Sequence, residues 1–137
     1  MTLQQNKSKA QVVEMFSLAI ADGFVSPEEL TLIYARGAEL GLGSQEVDEV
    51  ILNPESVTFE PPESLVEAIL RLYDLGKVVL SDNQIDPREV ELLKTFAGRF
   101  GIRDDLLDSV VTAVIDEVKA GTSHGDLVAL LAKEIAQ

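Results

Sequence analysis

The 137-residue chain contains no cysteine, no tryptophan and one histidine, His124. The missing thiols exclude disulfides, thiolate metal sites and cysteine nucleophiles, and leave histidine chemistry a single candidate. Apolar residues never run far. The longest unbroken stretch, Leu127 to Ala132, falls well short of the roughly 18 residues that suggest a membrane-spanning helix. Positive charge is also scarce: 11 Lys plus Arg stand against 24 Asp plus Glu, for a formal net charge of −13. Neutralising phosphates needs a basic face, so nucleic-acid binding is disfavoured, and so is an anionic membrane surface. The opening segment Met1 to Gln11 is polar and lacks the apolar centre of a secretion signal. The expectation is a cytoplasmic protein without direct membrane insertion. Its acidic surface suits a basic protein partner or cations.

What is present points to an all-α fold. With 46% apolar residues, the chain can bury roughly two thirds of its unfolded surface as one domain. Slid against itself, the sequence matches residues 7–52 to 67–112 at a constant offset of 60 without a gap. Asp22 pairs with Asp82, Pro27 with Pro87, Glu29 with Glu89, Gly41 with Gly101 and Asp48 with Asp108. Chemical roles repeat too, as in Val25 with Ile85 and Leu40 with Phe100. The organisation read from this is a single domain, 1–137, of about seven helices. It comprises repeat one (7–52), a proline-rich connector (53–62), repeat two (63–120) and a C-terminal helix (122–136).

The first helix of each unit, about 8–21 and 64–81, is apolar on most faces, which places it in the interior. A thin polar line remains on each: Lys7, Gln11, Glu14 and Ser17 on one, Glu67, Arg71, Asp74 and Lys77 on the other. These two helices are expected to form the central pair, with Glu67 and Arg71 as an i,i+4 ion pair. The second helices start at Ser26-Pro27-Glu28-Glu29 and Asp86-Pro87-Arg88-Glu89. Each reads as an N-cap, a proline at the first helical position and a glutamate closing a capping box. Gly41 and Gly101 supply the left-handed ends. Third helices, about 45–52 and 104–120, carry Ser44 and Asp104 as caps. The last helix, about 123–136, follows a Thr122 or Ser123 cap and puts Leu127, Leu130, Leu131 and Ile135 on one face, as a lid.

The duplicated turn is the feature most open to a functional reading. Asp22-Gly23-Phe24-Val25-Ser26-Pro27-Glu28-Glu29 and Asp82-Asn83-Gln84-Ile85-Asp86-Pro87-Arg88-Glu89 match the latter half of an EF-hand loop. The earlier ligand positions would fall on Leu18, Ile20, Val78 and Leu80, which offer no oxygen, so a standard calcium loop is rejected. A weakly bound divalent cation on Asp22, Glu29, Asp82 and Glu89 remains as a metal reading, with no other cofactor implied. The competing reading is structural: the aspartates form Asx turns and the glutamates close their capping boxes. No catalytic residue emerges. Ser123, His124 and Asp126 lie too close in sequence to form a triad, and His124 reads as exposed at a helix start. The glycines form no phosphate loop, and Tyr34 and Tyr73 read as core or interface residues.

Residues 21–29, a long helix and Glu39-Leu40-Gly41-Leu42, repeated from Ser81, resemble the tellurite-resistance TerB family over about residues 10–120. The resemblance implies a duplicated seven-helix cytoplasmic domain linked to tellurite and other chemical stress, with metal or membrane-bound partners. By that similarity Asp22, Glu29, Asp82 and Glu89 are the matched acids, while Asn83 replaces the family's glycine. The reading is therefore a non-enzymatic, stress-associated interaction module that meets a protein partner through an acidic surface. The alternatives are a weak divalent-cation binder and, behind it, a hydrolase using paired carboxylates. Oligomeric state is left open.

Overall fold

Leu65–Leu80 (α4) alternates too little polarity to lie on a surface, and it is stable only when neighbours cover most of its circumference. In the computed structural model they do. The backbone is described for residues 3–21, 23, 25–81 and 86–135. Over these residues it forms seven α-helices in one compact all-helical domain, with no strand among the described residues. The remaining helices are Leu3–Ala19 (α1), Pro27–Glu39 (α2), Ser44–Leu52 (α3), Pro87–Arg99 (α5), Leu107–Ala120 (α6) and His124–Ile135 (α7). Helix α4 packs against α1, α2, α5, α6 and α7, and α1 packs against α2, α3 and α5. Val12, Leu18, Leu72, Val78 and Val79 have no exposed surface. The two apolar helices are thus the central pair, as their composition requires.

Helix starts and ends follow local chemistry. Ser26 caps α2: its hydroxyl accepts from the Glu29 N–H at 3.1 Å while the Glu29 carboxylate accepts from the Ser26 N–H at 2.8 Å. Both residues are buried, so these bonds are shielded from competing water. At α5, Asp86 accepts from the Arg88 N–H at 2.8 Å and also pairs with the Arg88 guanidinium at 2.9 Å. That side-chain contact holds the Asp86 carboxyl below the usual carboxylate range. Gly41 and Gly101 take φ of +87° and +98°, where a Cβ would be strained, and so end α2 and α5. Inside α2, Gly37 lets α3 approach. A Cβ there would stand 2.7 Å from Val47 Cγ2.

Several boundaries differ from expectation. Helix α1 begins at Leu3 rather than near residue 8. Asn6 reaches across the fold to the Thr58 carbonyl and the Glu60 carboxylate, both at 2.9 Å, and anchors an extra turn. Ser44 is the first residue of α3, not its cap: Gly43 is the last extended residue, and its N–H donates to Glu46 at 3.3 Å. Asp104 opens a 3₁₀ turn, Asp104–Leu106, closed by a Leu106 N–H to Arg103 carbonyl bond, so α6 starts only at Leu107. Ser123 caps α7, accepting from the Asp126 N–H at 3.1 Å. The lid is narrower than expected: Leu127 enters the core, whereas Leu130 is 47% exposed. The side chains of Leu131 and Ile135 lie outside the described residues.

Candidate functional site

Of the four acids singled out in the turns, Asp22 and Asp82 lie outside the described residues. Glu29 and Glu89 head α2 and α5, and both are buried. Glu29 is engaged in its capping box. Gly23 takes φ +88°, a left-handed conformation that glycine adopts without strain. Among the described residues, no three His, Asp or Glu side chains converge to hold a metal ion.

The polar lines on the central helices are not a solvated face. Arg71 and Asp74, on the thin polar line of α4, are 5% and 4% exposed, and Glu14 is 4% exposed. The lines of α1 and α4 turn toward each other. Lys7 Nζ reaches Glu67 at 3.5 Å and Glu63 at 2.9 Å, and Arg71 Nη2 meets Glu14 Oε2 at 2.6 Å. Arg71 therefore pairs with Glu14, 57 positions away, and not with Glu67 four positions away. The reason is desolvation: once α1 and α4 pack, a buried guanidinium needs a partner inside the core, while Glu67 sits nearer water. Arg71 Nη1 also donates to the Glu60 carbonyl at 2.8 Å, and its plane lies 4.5 Å from the Phe100 ring centre. Burial pushes the Glu14 carboxyl up to about 7 against the opposing pull of Arg71. Glu14 borders a cavity of about 150 Å³ between α1, the connector and α5, walled by Val57, Phe59, Phe96 and Arg99.

A second buried cluster ties three helices together. Asp74 of α4 stands 2.7 Å from His124 Nε2 of α7 and 2.9 Å from Arg36 Nε of α2. The Arg36 contact is at ion-pair distance without hydrogen-bond alignment. Tyr73 donates its hydroxyl to the Thr122 carbonyl and meets the His124 ring edge-on at 5.4 Å. Burial, with Asp74 and Glu117 nearby, raises the Tyr73 hydroxyl. His124 is thus partly buried and engaged, not a free residue at a helix tip. An acid–imidazole pair can activate a hydroxyl. Here the adjacent Ser123 Oγ is spent on capping α7, so the pair positions α7 on α4.

Two surface features complete the inventory. A cleft of about 790 Å³ opens where the start of α2 meets the ends of α4 and α6, with Leu32, Leu80 and Val118 as apolar walls and Lys77 and Lys119 beside them. At the far end of α3, Leu52 is 83% exposed and is flanked in the chain by exposed Glu49 and Glu55. It borders a depression of about 350 Å³ that also includes Lys9 and Asn53. Sequence periodicity could have flagged Leu52, since α3 already buries Val47 and Val50. The Asp74–His124 contact left no such signal. No helix among the described residues is long and apolar enough to cross a membrane. No family model, curated protein or solved structure matches the chain.

Proposed function

We propose that the chain is a non-catalytic interaction module of the TerB-like kind that docks a basic protein partner through its acidic surface. The observation that carries this reading is Leu52. A leucine left 83% exposed and flanked in the chain by the exposed carboxylates of Glu49 and Glu55 offers an apolar anchor with acidic neighbours. That combination selects a partner with an apolar pocket rimmed by Lys or Arg. The buried ionisable groups support the same reading. Glu14, Arg71 and Asp74 are engaged in contacts that hold helices together and Glu29 in capping its own helix, leaving the surface acids to do the recognising. Long-range attraction from a chain of net charge −13 would speed encounter with such a partner and weaken as salt rises.

The test is cross-linked recovery from cell extract with three proteins in parallel: the natural chain, Leu52→Ser, and Glu49→Lys with Glu55→Lys. A species captured by the natural chain at low salt should be lost with either variant and weakened at about 0.5 M salt, where screening acts within about 4 Å. Recovery unchanged by both variants would remove this surface from consideration.

A further inference from the structure

We propose that the cleft between α2, α4 and α6 binds a single-chain anionic amphiphile, a fatty carboxylate, with its head between Lys77 and Lys119. This goes beyond the protein-docking reading and concerns a different face of the fold. The cleft, about 790 Å³, lies within the roughly 300–1,000 Å³ range of small-molecule sites. Its floor is apolar: Leu32 and Ala35 from α2, Leu80 from α4 and Val118 from α6. Helices α4 and α6 come close beneath it because Gly76 has no side chain; a Cβ there would lie 3.1 Å from Val118 Cγ2 and 3.3 Å from Val114 Cγ1. That approach brings the last turns of both helices, and their lysines, to one opening.

The charges set the ligand class. Lys7, Lys94, Arg36, Arg71, Arg88 and Arg103 each have a carboxylate within ion-pair distance. Among the described residues Lys9, Lys77, Arg99 and Lys119 have none in a chain that carries 24 acids, and of these four Lys77 and Lys119 border this cleft. Lys77 Nζ rests 5.0 Å from the Tyr73 ring centre, which orients the ammonium without neutralising it. Interaction with the carbonyl ends of α4 and α6 accounts for cations in those last turns, yet still leaves two positive heads on one apolar floor. Glu28, exposed on the same rim, disfavours a multiply charged anion and favours a monoanionic head. A folded protein partner is less suited to this opening. Stable interfaces engage roughly 20–30 residues a side, and nine described residues line the cleft.

Titration calorimetry with octanoate, decanoate and dodecanoate below their micelle concentrations tests this on the intact chain. Saturable one-site binding is expected, tightening by up to about fourfold for each CH₂ that the floor covers and levelling once the floor is filled. Lys77→Gln with Lys119→Gln should weaken dodecanoate binding by about tenfold or more while circular dichroism stays unchanged. Arg103→Gln, at an exposed cation outside the cleft, should leave binding as it was. Dodecyltrimethylammonium, with the same chain and the opposite charge, should bind at least about tenfold more weakly. The proposal is overturned by no saturable heat from any of the three carboxylates, by equal binding of the cationic amphiphile, or by unchanged affinity in the double lysine variant.

Discussion

Replacing Glu14 by Gln should change how the stability of this protein depends on pH, and the size of the change follows from the core. Glu14 is 4% exposed, and its native carboxyl is raised from 4.5 to about 7, chiefly by burial. Between those values the folded chain keeps a proton that the unfolded chain has released. The free energy of unfolding contributed by this group therefore falls as pH rises through about 4.5 to 7 and is level above it. At 1.36 kcal/mol per unit, the full span is about 3 kcal/mol. The Gln variant has no such proton, yet it still offers Arg71 Nη2 an acceptor oxygen at the position that now lies 2.6 Å away. Urea unfolding followed by circular dichroism from about pH 4.5 to about pH 8 gives both profiles. Other carboxylates cancel in the difference, so the Gln variant should gain about 3 kcal/mol on the natural chain between the two ends. Parallel profiles would refute the assignment of burial as the dominant influence on Glu14.

Ser26→Ala removes one bond of a buried capping box and should cost about 1 kcal/mol, read as a lower urea midpoint with an unchanged slope. Gly37→Ala places a Cβ 2.7 Å from Val47 Cγ2 and should destabilise by about 1–3 kcal/mol despite the better helix propensity of alanine. Adding Val47→Ala to Gly37→Ala should recover part of the loss, because the obstructing methyl is gone. His124→Phe keeps the ring against Tyr73 but drops the contact to Asp74. Amide exchange in the first turn of α7 should then quicken by about tenfold, matching about 1.4 kcal/mol, while exchange in α4 is unchanged.

Which parts of this structure are legible in the sequence depends on the range of the interactions that decide them. The start of α2 is local: Ser26, Pro27 and Glu29 lie within one turn, and their bonds form as the residue types imply. The burial of Leu18 and Val78 is legible because an apolar helix has few ways to avoid water other than occupying the centre. Arg71 and Asp74 mislead for the opposite reason. Their spacing marks a polar line along α4, but whether that line faces water is decided by Glu14, 57 residues earlier, and His124, 50 residues later. Periodicity reports which residues share a face and not what covers it. His124 likewise sits where a helix start suggests exposure, and only the docking of α7 on α4 gives it a buried partner. The Asp104 cap fails on a finer scale, since a 3₁₀ turn and an α-helical first turn share the same opening residues.

Hydrogen exchange under native conditions probes the arrangement of the two central helices most directly. Residues 12–18 in α1 and 72–79 in α4 include Val12, Met15, Leu18, Leu72, Leu75, Val78 and Val79, whose side chains have almost no exposed surface. The amides of these stretches should exchange only through global unfolding, with the denaturant dependence of the whole domain, and after those of α3 and α7. Exchange of either stretch by local opening, at rates equal to or faster than those of α7, would contradict a fold built around α1 and α4.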